Sequence, residues 1–371
     1  MGDEKKLKYF KYIHLFTSEE QKFSTRLIKA FNCFEEDLRL QDTLFVVLDR
    51  DQYDALKIYS NVVFLNEKEV YKAINICGKQ CRWLFVHNIC TPRNGLKIKK
   101  EIRHKIIWRT WGSDIGYNVS SGNVLKKTVK KAIMYFWKKV VYSFYGVGIA
   151  NLVDKINITE KYGELKTFRL PYLSRENYDN FHNVNNELNS NDYDTRNVLI
   201  GHSGYPNDNH VEILKKLEKF KGKIKIYIPI SYGNPQYIET VKKYVDQNWK
   251  EEAILIEEFL EYDKYIKLLS KIDVAIFDWN GSYALGNLAL LFSFKKKIFV
   301  NSKGVIHKAL VLDKMPHETT DRIDDMSIEE FFEPVDYGEK PYEFFVKSFE
   351  ENLGCWISLY SELDNVEKIS K

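Results

Sequence analysis

At 371 residues the chain is longer than one hydrophobic core usually serves, so two domains are expected. Hydrophobic residues at 44% and charged residues at 29% belong to a folded globular protein. The 56 basic and 52 acidic side chains leave a net charge of only +4, a near-balance that excludes a dedicated nucleic-acid binder.

Short strand patterns alternate with helical ones along the whole chain, which predicts α/β domains with parallel sheets. Tyr9–Phe16 reads as a strand, Phe23–Phe34 as a helix and Thr43–Leu48 as a buried strand. Val62–Phe64 is a short strand, Lys68–Cys77 a helix, Trp83–His87 a strand, and Lys105–Thr110 a strand that breaks at Trp111-Gly112. A basic amphipathic helix is predicted over Asn123–Phe144, with Leu125, Val129, Ala132, Ile133, Phe136 and Val140 on its apolar side. The Asn-rich stretch from Asn183 to Arg196 is the best linker. Beyond it come strand Asn197–Gly201, helix Val211–Phe220, strand Lys225–Pro229 and helix Pro235–Asp246. Strand Ala253–Ile256, helix Tyr262–Ser270, strand Val274–Asp278, helix Ala284–Phe294 and strand Lys297–Asn301 follow, and Pro341–Leu363 reads as helical. The expected domains are therefore 1–182, a linker at 183–196, 197–335, and a C-terminal helical segment 336–371 that packs back on the first domain.

The N-terminus is charged and runs straight into a strand, so no signal peptide is read there, and no apolar run reaches the roughly 18 residues of a membrane-crossing helix. Five scattered cysteines (Cys33, Cys77, Cys81, Cys90, Cys355) are expected to be free thiols, as in a reducing cytoplasm. Cys77 and Cys81 have no second Cys/His pair at metal spacing, so no zinc site is expected.

Ligands of open parallel sheets bind beyond the C-terminal ends of the strands, so the loops there matter most. Gly201 to His210 links a strand to a helix. Its small residues, with Ser203, Gly204 and Asn209, suit the close approach of a phosphate to backbone N–H groups. Asp278 to Leu288 repeats the arrangement, with Ser282 and Tyr283 leading into a helix that carries Asn287. Tyr232 and Glu258 follow two further strands, and a carboxylate at such a place accepts hydrogen bonds from a ribose. In the first half, Asp114 ends a strand among apolar rings; desolvation would raise its pKa and make it a general base for an acceptor hydroxyl. His87, His14 and Trp111 lie at comparable edges and complete the expected catalytic and acceptor-binding group. Lys126, Lys127, Lys130, Lys131 and Lys138, with nearby aromatic rings, suit an anionic membrane surface. Two motifs point elsewhere. Gly146-Val147-Gly148 is an incomplete dinucleotide fingerprint, and Asp49-Arg50-Asp51 has the spacing of a divalent-metal diphosphate site.

Trp-x-x-Trp-Gly-x-Asp ending at Asp114, Gly-x-Ser-Gly with its Asn/His pair from Gly201 to His210, Tyr227–Ile238 and the run Ala253–Asn301 resemble glycosyltransferase family 56. Its bacterial enzymes add 4-acetamido-4,6-dideoxygalactose (Fuc4NAc) to a lipid-linked oligosaccharide from a dTDP-sugar. The resemblance implies a GT-B fold, two Rossmann-like domains facing a central cleft. The C-terminal domain would hold the nucleotide-sugar and the N-terminal domain a polyprenyl-diphosphate glycan, at the cytoplasmic face of the membrane. The large retaining GT-B families carry a Glu where Ala284-Leu285-Gly286-Asn287 stands here. The expected reaction is metal-independent transfer from a dTDP- or UDP-sugar with no cofactor. A metal-dependent transferase using Asp49 and Asp51, or a non-catalytic sugar-nucleotide or glycan-binding scaffold, is the alternative.

Overall fold

A computed structural model describes residues 8–17, 21–34, 38–112, 114–115, 124–173, 196–337 and 349–369. The chain forms two compact units, one of residues 1–175 with 349–371 and the other of residues 176–348. The expected linker, apart from Arg196, lies outside the described residues, as does the 338–348 portion of the expected C-terminal segment.

The first unit is built on seven parallel strands: β1 (Phe10–Phe16), β2 (Thr43–Val47), β3 (Val62–Phe64), β4 (Cys81–His87), β5 (Ile106–Arg109), β6 (Gly146–Ile149) and β7 (Thr167–Arg169). Their order, β3-β2-β1-β4-β5-β6-β7, reverses direction between β1 and β4. The helices are α1 (Gln21–Asn32), α2 (Arg50–Leu56), α3 (Val70–Lys79), α4 (Pro92–Leu96), α5 (Lys100–Arg103), α6 (Val124–Val141) and α7 (Leu152–Tyr162). Alternation along the strands sends Ile13, Leu15, Leu84, Val86, Trp108 and Val147 into an aliphatic core with Ile74, Trp137 and Tyr162.

The other face of this sheet is aromatic. Register pairs His14 with Phe85 and Phe16 with His87, so these rings share one side. Phe31 of α1 packs against them. β6 and β7 escaped the sequence reading. The incomplete fingerprint Gly146-Val147-Gly148 is strand β6, and its glycines make room: a Cβ at Gly146 would meet Phe168 at 2.4 Å, and one at Gly148 would meet Leu170 at 2.6 Å.

The second unit has six parallel strands: β8 (Asn197–Ile200), β9 (Lys225–Pro229), β10 (Ala253–Ile256), β11 (Val274–Phe277), β12 (Lys297–Val300) and β13 (Glu318–Thr319). Their order is β10-β9-β8-β11-β12-β13, with the reversal between β8 and β11. Its helices are α8 (His210–Leu217), α9 (Pro235–Asn248), α10 (Tyr262–Ser270), α11 (Leu285–Ser293), α12 (Val305–Leu312) and α13 (Ile328–Phe332). Caps fix their starts: Asn234 accepts from the Tyr237 N–H at 2.9 Å, and Ser327 with Glu330 forms a capping box.

The last helix, α14 (Phe349–Ile369), returns to the first unit. Trp356 and Tyr360 close the aromatic face, with the Trp356 indole N–H donating to the Pro171 carbonyl at 2.9 Å. Helix α6 departs from expectation. Only its C-terminal part is buried, at Trp137, Val140 and Val141, while Leu125 (73%), Val129 and Phe136 (55%) are exposed. It docks on α4, where Gly95 leaves room for the Trp137 ring: a Cβ there would stand 1.9 Å from it.

Candidate active site

In the second unit the strand-order reversal between β8 and β11 places the loops after these two strands side by side, the usual ligand position of such sheets. Asp208, almost fully buried, organises the first loop. Its Oδ2 accepts from the Ser203 N–H at 3.0 Å and the Ser203 hydroxyl at 2.8 Å, and its Oδ1 lies 3.1 Å from His202 Nδ1. Burial pushes its pKa up, but the bonds from His202 and Ser203 and the nearby imidazoles outweigh that and hold it below the ordinary value.

This corrects the expected phosphate cradle. The Ser203 N–H is spent on Asp208, and the Gly204 N–H on the Tyr232 carbonyl at 2.7 Å. Asn209 is a brace too: its amide donates to the Asp278 carbonyl at 2.8 Å and carboxylate at 3.1 Å. Asp278 also accepts from Asn301 at 2.9 Å and Thr320 at 2.6 Å, joining the ends of β11, β12 and β13 to the β8 loop. Spacing located these loops but gave no sign that side-chain carboxylates would take their N–H groups.

What remains open is the layer above. His202, passed over in the sequence, has Nδ1 engaged by Asp208, leaving Nε2 as its other polar atom. Its ring is surrounded by Trp279 at 4.8 Å, Tyr283 at 6.4 Å in stacked orientation, and Tyr232 at 6.4 Å. Tyr205, Tyr232 and Tyr283 are about half exposed. The available signal was a His directly after a switch-point strand with an Asp six residues on.

Ser282 and Tyr283 lead into α11, whose N-cap Ala284 makes no side-chain cap bond. The first internal bond is Leu288 N–H to the Ala284 carbonyl at 3.0 Å, so the N–H groups of the preceding turn are open to an anion, and nothing crowds Gly286. The Asn287 amide is partly committed, donating to the Tyr265 hydroxyl at 2.8 Å. Glu258 is exposed after β10, while its neighbour Glu257 pairs with Lys242.

In the first unit Asp114 is buried, and both its oxygens are occupied. Oδ2 accepts from the Trp108 indole at 2.7 Å and the Ile89 N–H at 3.2 Å, and Oδ1 from the Trp111 N–H at 2.9 Å. Burial pushes its pKa up to about 6, as expected, against the pull of these bonds. The geometry nevertheless makes it a clamp on the loops after β4 and β5, with both oxygens occupied, in place of the desolvated general base that is expected.

His14 and His87 are interior groups, which corrects their expected catalytic and acceptor-binding roles. His14 Nδ1 lies 3.0 Å from His87 Nε2, and its Nε2 lies 2.7 Å from the Tyr360 hydroxyl. Burial lowers the His14 pKa to about 3 and that of His87 well below its usual value, so both are neutral. Trp111 is also buried, against Tyr172. Asp49 caps α2, accepting from the Gln52 N–H at 2.8 Å, which is the ordinary structural use of such a residue. Among the described residues no group of three His, Cys, Asp or Glu side chains is placed to hold a metal ion.

Solved structures share this fold. The UDP-forming α,α-trehalose-phosphate synthase of Burkholderia vietnamiensis matches with a TM-score of 0.61 at 8% identity, over 98% of this chain and 99% of that one. HepE of Anabaena in complex with UDP matches at 0.57 and 8%, over 97% and 99%. A glycosyltransferase from Rickettsia africae matches at 0.57 and 12%, over 97% of each chain. These likenesses give a GT-B architecture, two Rossmann-like units. Residues 10–359 match the family described as 4-alpha-L-fucosyltransferase, glycosyl transferase group 56, and the chain therefore belongs to that family of glycosyltransferases.

Proposed function

We propose that this chain moves a sugar from a dTDP- or UDP-sugar to a lipid-linked glycan, working without a metal at the anionic inner face of a membrane. The observation that carries the donor assignment is the open layer at the β8/β11 switch point. There, exposed tyrosines surround His202 beside the uncapped start of α11. Tyr232 and Tyr283 offer faces for a base or sugar ring, and Glu258 a carboxylate for ribose hydroxyls. The N–H groups after Ser282, His202 Nε2 and the Asn287 side chain supply hydrogen bonds to the diphosphate and sugar. Oriented donors of this kind stabilise the charge that builds on the leaving diphosphate. The UDP bound by HepE, which has the same fold, supports a nucleotide donor.

The acceptor assignment rests on the family and on α6. Its exposed Leu125, Val129 and Phe136 alternate with Lys126, Lys127, Lys130 and Lys131, and Lys138 follows about two turns on. Apolar rings and ammonium groups on one solvent-facing helix match the boundary of an anionic bilayer. The family's description names a fucosyl group, and the transferred sugar is proposed as an acetamido-deoxyhexose such as Fuc4NAc. Asp114 holds the loops after β4 and β5 in place and takes no proton from the acceptor.

Thermal unfolding with UDP, dTDP, GDP and CDP, in EDTA, tests the donor site. UDP or dTDP at a hundred times its dissociation constant should add about 2.7 kcal/mol of stability. His202→Ala should remove most of that gain. A response to no nucleotide, or one unchanged in His202→Ala, would overturn the donor assignment.

A further inference from the structure

Arg109, the last residue of β5, is 1% exposed. Its Nη1 donates to the Thr110 carbonyl, while Nε and Nη2 meet no acceptor among the described residues. Asp154, the acid that feels its charge, makes no ion pair with it and accepts from the Ala150 N–H at 3.1 Å. The Tyr172 ring lies 4.5 Å from the guanidinium. On the neighbouring strand His87 stands in register with Arg109, and its Nδ1 is a third buried polar atom without a partner among the described residues.

A buried guanidinium with two unpaired donors is strongly unfavourable, and folds keep one only where something offsets it. The fold also makes space for this side chain: a Cβ at Gly148 would come within 3.1 Å of Arg109 Cδ. The open pair is Nε and Nη2, which lie along one edge of the planar group and match two oxygens of a carboxylate or phosphate. We infer that Arg109 anchors an oxyanion-binding site at the C-terminal edge of the first unit's sheet, with His87 Nδ1 beside it. Half-buried Tyr172 covers the guanidinium, so ligand entry turns this side chain aside. Assigning the oxyanion to the glycan acceptor, as a phosphate or a sugar carboxylate, rests on the transferase reading; the site itself does not.

The test is thermal unfolding of the full chain with inorganic phosphate or glucuronate, against chloride at equal ionic strength. Wild type should show a saturable rise in Tm with one of the two, which also tells phosphate from carboxylate. Arg109→Met, which removes the unpaired charge and keeps the stem, should melt above wild type without anion and lose the response. Arg109→Lys should keep a weaker one. No response in wild type beyond chloride, as for a trapped water only, would overturn the inference. So would an Arg109→Met protein that melts no higher than wild type or still responds. Nucleotide stabilisation of Arg109→Met, read in the same assay, reports the donor site separately, so the two readings fail independently.

Discussion

Asp114 accepts three hydrogen bonds from N–H groups, two of them on Oδ2. Asparagine there either turns its NH2 toward the Trp108 and Ile89 donors or leaves the Trp111 N–H facing it. Asp114→Asn should therefore lower unfolding stability by about 1–3 kcal/mol in urea titrations. An unchanged midpoint with lost turnover would restore Asp114 as a base. The histidines give a pH signature. His14 titrates near 6.5 when unfolded and about 3 when folded, so between these values the unfolded chain binds the extra proton and stability falls as pH falls. The slope approaches about 1.4 kcal/mol per pH unit for each such group. Asp114, raised to about 6, acts in the opposite sense between 3.8 and 6. His14→Phe isolates the effect: its stability between pH 4 and 6 should fall about one proton's worth less steeply than that of wild type. Parallel curves would show that His14 is not held neutral.

Among the elements, strands with β-branched runs and helices with caps were legible in the sequence. Lys225–Pro229 and Ala253–Ile256 stand where the pattern puts them, and the helix from Pro235, capped by Asn234, starts where it is read. β6 was hidden because glycine carries no β signal; its two glycines serve the neighbours Phe168 and Arg109, a tertiary reason that no local window contains. The loops after β8 and β11 were legible as strand-to-helix turns but not in their hydrogen bonding, because Asp208 and Asp278 take donors that spacing left free. Helix α6 inverts the usual reading of an amphipathic stripe over its first part, where Leu125, Val129 and Phe136 face solvent, while Val140 at its end is buried. Near an anionic bilayer each lysine contributes about 1 kcal/mol, so changing Lys126, Lys127, Lys130 and Lys131 to Gln should weaken binding to phosphatidylserine vesicles by roughly two to three orders of magnitude. High salt should do the same to wild type. Salt-insensitive binding, or none at low salt, would remove the membrane assignment.

At the scale of the whole molecule, the first unit is discontinuous in sequence, closed by a helix that arrives after the second unit is complete. Its aromatic face holds His14 against Tyr360 and His87 against Trp356, so acid acts on it twice, whereas among the described residues of the second unit burial lowers His210 to about 4 and holds the partly exposed His317 below its usual value. Nucleotide bound beside His202, as proposed, would stabilise the second unit. Multi-domain chains need not unfold in one step, so these opposing levers should separate the two units in calorimetry. At neutral pH without ligand their transitions should overlap. At pH 5 with saturating UDP or dTDP a lower transition should split off, moving with pH and insensitive to nucleotide concentration. The upper one should rise by RT ln(1 + [L]/Kd) in free energy as nucleotide increases. Trp356→Ala, which removes the ring that closes the aromatic face, should lower only the first transition, by about 3–5 kcal/mol. If nucleotide instead raises a single transition, and Trp356→Ala lowers that same transition, the two units unfold as one. Donor binding would then be felt through the acid-sensitive face as well.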